Sequence, residues 1–242
     1  MIAELTERVR DRSPVAAEET DYRGLGLSPM PRTRPFEEHV DRYEAWFSEH
    51  RFVYESEVRA VRALFEPRGP SLEIGVGSGR FATPLGIRFG VEPARAMRRL
   101  ARRRGIGVVA AVAERLPFRD GSFDGALMVT TICFLDDAEA AVPEAYRVLQ
   151  PGGQFVVGFV DRESPLGLAY QRHRGESVFY KEAEFYSTGE VAALLRGAGF
   201  GELGFNQTIF RPLHEIRELE PVKPGYGEGS FVVVRGKKAP HQ

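Results

Sequence analysis

Apolar residues change their spacing twice along this chain, and those changes divide it. Up to residue 35, the prolines and glycines at Pro14, Gly24, Gly26, Pro29, Pro31 and Pro35 interrupt any periodicity, so residues 1–35 read as an N-terminal arm outside the core. From there Phe36, Val40, Tyr43 and Phe47 recur at helical spacing, with Trp46 and His50 on the adjoining stripe. Val58, Val61, Leu64 and Phe65 predict a second helix over 55–65, which Pro67 and Gly69-Pro70 end. After Pro70 short apolar runs alternate with helical segments. Strands are predicted at 71–75, 89–92, 107–112, 123–129 and 154–160, with helices at 94–104 and 138–149. Runs such as Phe155-Val156-Val157 are apolar on both faces, as in strands that helices cover on either side, so the pattern is that of a doubly wound parallel α/β sheet. An irregular segment follows to Ser187, then a helix at 189–197 and strands near 204–210 and 230–235. A long irregular stretch at the ligand edge of such a sheet reads as a lid, here 162–187.

Charge narrows the partners. With 33 basic and 34 acidic side chains the formal net charge is -1, which gives no electrostatic footprint for nucleic acid or an anionic membrane. Arg95, Arg98, Arg99, Arg102, Arg103 and Arg104 crowd one predicted helix, but no aromatic residue interleaves them, so they read as a solvated face. Residues 1–10 lack the apolar core of a signal peptide, and the longest mostly apolar stretch, 125–135, is far short of the roughly 20 residues that span a bilayer; the expectation is a cytoplasmic protein. The single cysteine, Cys133, can form neither an internal disulfide nor a cysteine zinc site, and no metal is expected.

The chemistry concentrates where the first strand ends. Leu72-Glu73-Ile74-Gly75-Val76-Gly77-Ser78-Gly79 closes a strand and opens a helix, the setting in which a glycine loop lets a ligand approach the backbone. A dinucleotide fingerprint would need a third glycine where Arg80 stands, and no Gly-Lys-Ser/Thr follows for a P-loop. Glu92, at the end of the second strand, is placed to accept hydrogen bonds from a ribose diol. Together these features point to a nucleoside without a pyrophosphate. Thr130 to Cys133 follow the fourth strand at its carboxyl end, where open α/β sheets bind ligands.

The glycine loop, with Gly90-Val91-Glu92-Pro93, Ala113-Glu114-Arg115-Leu116-Pro117-Phe118, Phe123-Asp124 and Leu149-Gln150-Pro151-Gly152-Gly153, resembles the class I S-adenosylmethionine-dependent methyltransferases over roughly 36–235. Within them it is most similar to the type 11 group, which also resembles quinone-ring methylases. The resemblance implies a Rossmann-like, seven-stranded sheet with an antiparallel last strand. It implies a methyltransferase domain over 36–242, with cap helices at 36–66. The implied activity is transfer of a methyl group from S-adenosylmethionine to a small-molecule acceptor by direct displacement. Quinone-like ring C-methylation and a non-catalytic module that only holds the cofactor remain open beside it. Carried over residue by residue, the resemblance puts Gly75, Gly77 and Gly79 under the methionine half, Glu73 beneath that loop, and Glu92, followed by Pro93, on the ribose. Ala113 and Glu114 flank the adenine, Thr130 lines the methyl-donor site and Tyr43 covers the cofactor. Ala111 and Val112 stand where the family commonly has a carboxylate near the adenine amine. Trp46, His50, Tyr170, His173 and Tyr180 are the candidates for the acceptor side. Catalytic residues and oligomeric state are not legible. No Pro-Cys pair makes Cys133 a nucleophile, and residues 130–134 lack the Asp/Asn-Pro-Pro-aromatic signature of nucleic-acid amino-methylases. A sulfonium methyl is already electrophilic, so transfer needs chiefly an aligned nucleophile. Turnover should therefore persist in EDTA; loss on chelation, restored by one divalent ion, would contradict this.

Overall fold

The computed structural model describes residues 32–240. Eight strands form one sheet: β1 (Ser71–Ile74), β2 (Phe89–Val91), β3 (Gly107–Val109), β4 (Phe123–Val129), β5 (Leu149–Val160), β6 (Gly201–Thr208), β7 (Lys223–Pro224) and β8 (Phe231–Lys237). They lie in the order β3-β2-β1-β4-β5-β8-β6-β7. The first five are mutually parallel, β8 runs against both of its neighbours, and β6 also pairs antiparallel with β7. The antiparallel last strand is as expected. The eighth strand is a two-residue addition, β7, at the edge of β6, too short and too polar to leave an alternating signature.

Alternation along the central strands sends apolar side chains to both faces. Leu72, Ile74, Ala126, Met128, Phe155 and Val157 join one core. On that side helices α6 (Ala138–Val148) and α8 (Thr188–Gly197) bury Val142, Val148, Val191 and Leu195. Leu127, Val129, Val156 and Val233 join the other, under α3 (Arg51–Arg62), which contributes Val53, Val58 and Val61, and α5 (Arg95–Arg103), which contributes Ala101.

Several boundaries differ from expectation. A helix, α1 (Arg34–Glu38), begins inside the supposed arm because Pro35 sits in its first turn, where its fixed φ suits a helix start; the rest of the arm, residues 1–31, lies outside the described residues. The single helix expected from Phe36 is divided into α1 and α2 (Val40–Glu49), with the backbone turning at His39, and the second helix, expected over 55–65, is α3, which starts earlier, after a turn at His50. The helix after the glycine loop, α4 (Ala82–Leu85), is one turn, closed by Gly86 in the left-handed region. β3 stops at Val109, three residues early, because its partner β2 ends at Val91 and residues 111–113 leave the sheet. The segment 162–187 is not wholly irregular, since α7 (Pro165–Arg172) forms behind a Ser164 side chain that accepts from Gly167 N–H, with Pro165 in the first turn. The arginines of α5 are not uniformly solvated. Arg98 is buried and donates to the Glu92 and Pro93 carbonyls, while Arg102 donates to the Val108 carbonyl.

Charged side chains fasten α1 and α2 to this scaffold. Glu37 accepts the N–H groups of Arg95 and Ala96 at the N-terminus of α5, orphan donors at the positive end of the helix dipole. Glu44 Oε2 accepts from Arg80 at 2.6 Å and from Arg104 at 2.5 Å, and Arg104 also donates to the Ser78 carbonyl at 2.7 Å. One carboxylate thus ties α2 to the glycine loop and to the end of α5. Despite partial burial, the hydrogen bonds from Arg80 and Arg104 and the Arg104 charge hold its pKa below the usual range. Glu44→Ala should cost about 1–3 kcal/mol, read as a lower denaturant midpoint, and raise hydrogen exchange in α2. Because the folded pKa is depressed, this stabilisation is present above the unfolded carboxylate pKa and disappears as pH falls through the folded one. A Glu44→Ala protein as stable as wild type at pH 7 would show that the clamp contributes nothing.

Candidate active site

β1 delivers the chain into residues 75–79, where Gly75, Gly77 and Gly79 all have positive φ. The loop is pinned to β2 by the Gly75 and Val76 N–H groups, which donate to the Val91 carbonyl at 2.9 and 3.0 Å. Glu92, the next residue, is buried at 7% exposure, and both of its oxygens hold backbone: Oε2 accepts from Gly77 N–H at 2.9 Å and Oε1 from Ala94 N–H at 2.8 Å. Burial pushes its carboxyl up to about 7 against those hydrogen bonds and the nearby Arg98 charge. A Cβ on Gly77 would lie 3.0 Å from the Tyr43 hydroxyl, so α2 stands directly over the loop and glycine keeps the gap open.

That gap belongs to a cavity of about 520 Å³ at the carboxyl ends of the parallel strands. Gly75, Gly77, Glu92 and Pro93 line it from the loop and β2, and Ala113, Glu114 and Thr130 from the ends of β3 and β4. Tyr43, Trp46 and His50 line it from α2 and its end. Tyr170, His173 and Tyr180 close it from the segment after β5. Thirteen of the fifteen residues singled out in the sequence therefore meet around one space. The other two stand behind it. Gly79 does not line the cavity; its Cβ would come 2.4 Å from Ile106 Cδ1, so this glycine permits close packing onto the segment after α5. Glu73 is 2% exposed beneath the loop, and burial raises its carboxyl well above the usual range.

Individual side chains refine the picture. Glu114 lines the cavity, yet its Oε1 accepts from Asp136 and Asp137 N–H at 3.0 and 3.3 Å, so it also orders the turn before α6. Thr130 has φ +49, a strained value for a β-branched residue, while its N–H donates to the Gly158 carbonyl. His50 lies flat against Trp46, with centroids 5.0 Å apart. His173 sits at the rim, 68% exposed beside Glu176.

Sequence reasoning missed that Phe36 and Phe134 join the elements. Phe36 of α1 packs edge-on against Phe134 at 5.0 Å and tilted against Phe179 at 5.5 Å, and Phe134 stacks on Tyr180 at 5.9 Å, so α1, the turn after β4 and the segment after β5 share one aromatic cluster. It also missed Glu57, a 5%-exposed carboxyl on α3 that lines the cavity. Its signal was available: Val53, Glu57 and Val61 recur at four-residue spacing, a charge in the middle of an apolar stripe.

Comparison with known proteins shows the family. A family model for a methyltransferase domain matches residues 72–157. A solved S-adenosylmethionine-dependent methyltransferase of Thermotoga maritima, described as a "possible histamine N-methyltransferase", is 55% identical, with a TM-score of 0.83 over 85% of this chain and 99% of its own. The chain belongs to the class I S-adenosylmethionine-dependent methyltransferases. An uncharacterized protein of Methanocaldococcus jannaschii is 41% identical over 84% of this chain and 98% of its own length. Another from Mycobacterium tuberculosis is 36% identical over 98% and 86%.

The methyltransferase takes S-adenosylmethionine, and the residues present fit it: a glycine cradle that a Cβ would narrow, beside a buried carboxylate with lone pairs to spare for hydroxyl donors. Cys133 is buried in the methyltransferase next to Phe185, and burial pushes its thiol up to about 12. Two outcomes are expected. Native protein at pH 8 should react with a thiol reagent far more slowly than protein in denaturant, and Cys133→Ser should keep most donor affinity. Equal labelling rates in the two states would overturn the buried-thiol assignment.

Proposed function

We propose that the methyltransferase acts on a small-molecule acceptor held in the aromatic half of its cavity, while the donor lies against Gly75, Gly77 and Glu92. The observation that carries this reading is the continuity of one 520 Å³ space lined at once by the glycine loop and by rings from the α2 and post-β5 segments. A space of this size takes a nucleoside and a compact second molecule, and its walls are mostly apolar with a few polar groups, as in small-molecule sites. The sulfonium of the donor supplies a methyl carbon that bonds to the acceptor atom as the carbon–sulfur bond breaks, with the electron pair remaining on sulfur.

The protein's part is to bind, orient and exclude water. Glu92 accepts the ribose hydroxyls, Pro93, Ala113 and Glu114 shape the adenine end, and Thr130 and Tyr43 flank the donor. Trp46, His50, Tyr170, His173 and Tyr180 surround the acceptor. The helices of 36–66 act as a cap and 162–187 as a lid; the shared cluster of Phe36, Phe134, Phe179 and Tyr180 lets one ligand order both. The amine in the description of the Thermotoga protein supports an amine as the acceptor class.

Incubation with labelled donor and a fractionated metabolite extract tests the reading. Label should appear in a small molecule; label in transfer RNA or DNA, or none in any fraction, would defeat it. Glu92→Ala should weaken calorimetric binding of S-adenosylhomocysteine by roughly 10- to 150-fold, the loss of about 1.5–3 kcal/mol from hydrogen bonds to a charged group. Since a ribose hydroxyl donates best to the ionised carboxylate, and Glu92 is held near about 7, wild-type affinity should rise from pH 6 to pH 8 and the Glu92→Ala variant should lose that slope. A flat wild-type profile would remove Glu92 from the ribose.

A further inference from the structure

Five carboxylates line the cavity among the described residues, Glu49, Glu57, Glu92, Glu114 and Asp136, against two guanidinium groups, Arg32 and Arg42. Most of these charges are accounted for. Glu92 and Glu114 hold backbone N–H groups, Asp136 pairs with Arg32 at 3.8 Å, and Glu49 is exposed at the end of α2. Glu57 differs. It is 5% exposed, its α3 neighbours Val53, Val58 and Val61 belong to the core, and no hydrogen bond or ion pair to it is found among the described residues. Its carboxyl opens onto the cavity without a protein partner among the described residues, so a ligand there can supply the partner that the fold does not.

Its surroundings specify that ligand. The groups that face Glu57 electrostatically are the phenols of Tyr170, on α7, and Tyr180, in the segment that follows. Their rings stack with centroids 4.7 Å apart, and Trp46 and His50 line the same cavity from α2 and its end. No cation among the described residues perturbs Glu57, and burial alone pushes its carboxyl up to about 8. A carboxylate and the negative faces of aromatic rings are both complementary to a cation, and a small ammonium satisfies both. A neutral hydroxyl would meet only the carboxylate, and an anionic acceptor would be repelled.

From this juxtaposition we infer that Glu57 is the acceptor-recognition residue, binding the ammonium of a small, ring-bearing amine and taking its proton. The inference rests on the small-molecule reading above. The proton step balances: R–NH3+ and Glu57 carboxylate become R–NH2 and Glu57 carboxylic acid, the N–H bond pair staying on nitrogen as the lone pair that methyl transfer needs. In water this exchange is uphill, because an alkylammonium with a pKa of about 10 faces a carboxylate with one of about 4. Burial raises the acid and disfavours the ammonium, so the two forms approach equal energy inside the cavity. After release of the methylated ammonium, Glu57 returns its proton to solvent.

The test uses phenethylamine and its neutral isostere 2-phenylethanol as probes, titrated calorimetrically with and without S-adenosylhomocysteine. Wild type should prefer the amine by at least tenfold, and its amine affinity should rise from pH 6 to pH 8 as Glu57 ionises. Glu57→Gln, isosteric and relieved of a buried charge, should remain folded, melt higher than wild type at pH 9, lose the amine preference and keep its affinity for S-adenosylhomocysteine. Carboxyl-carbon NMR gives an independent readout, since amine binding should lower the Glu57 titration midpoint by more than one pH unit. No amine preference in wild type, a preference retained by Glu57→Gln, or an unmoved midpoint would each overturn the inference. Failure of S-adenosylhomocysteine to bind would instead strike the donor half of the proposed function, and the measurements without it would still judge Glu57.

Discussion

A parallel sheet buried on both faces leaves the chain one place to open, the edge where its strands end together. Leu72 and Ile74 feed one core while Leu127 and Val129 feed the other, so the two faces of the sheet are largely filled with apolar side chains. Polar chemistry is forced to the carboxyl ends, where the backbone must turn before re-entering a helix. Positive φ at Gly75 and Gly77 makes that turn tight, and Glu92 holds it by taking one N–H from the loop and one from the start of α5. The glycine loop is thus held by hydrogen bonds to the end of β2 and the residue after it.

The second layer is the cap. α1 and α2 cover the open edge, but they present few fully buried side chains of their own, Phe47 being the one in α2. They are kept in place by carboxylates and rings. Glu37 and Glu44 reach across to backbone and guanidinium groups of the α5 region, and the aromatic cluster around Phe36 spans the cap, the turn after β4 and the post-β5 segment. Such contacts cost less to open than a packed core, which is compatible with the closure proposed above.

Burial of carboxyl groups unites cradle and cavity. Glu73, Glu92 and Glu57 all have raised pKa values for the same reason, loss of water, yet they differ in what remains around them. Glu92 is held by two backbone N–H groups and stands ready for hydroxyl donors. Glu73 is sealed beneath the loop, outside the cavity. Glu57 faces the cavity among tyrosines, which makes it the group whose charge a ligand can most change. Each stabilises the fold more when protonated than when ionised, so stability falls as pH rises from the ordinary carboxylate range through the raised pKa of each.

Local pattern was enough to determine much of this protein. Short continuous apolar runs marked the central strands, the strand–glycine–helix order of residues 72–79 with Glu92 pointed to a nucleoside, and the family resemblance supplied the methyl donor. These features are legible because each is set by neighbours a few residues apart. Only the tertiary structure decided the rest. Gly79 looked like its sister glycines, but Ile106 packs against it and removes it from the cavity. The arginines of α5 looked solvated, but Arg98 and Arg102 find carbonyls that the fold brings within reach. Glu57 stood in an apolar helical stripe whose partners, Tyr170 and Tyr180, lie far along the chain. Its burial and its lack of a counter-charge among the described residues are properties of a space enclosed by separate segments, and no local spacing encodes what a long-range closure leaves unpaired.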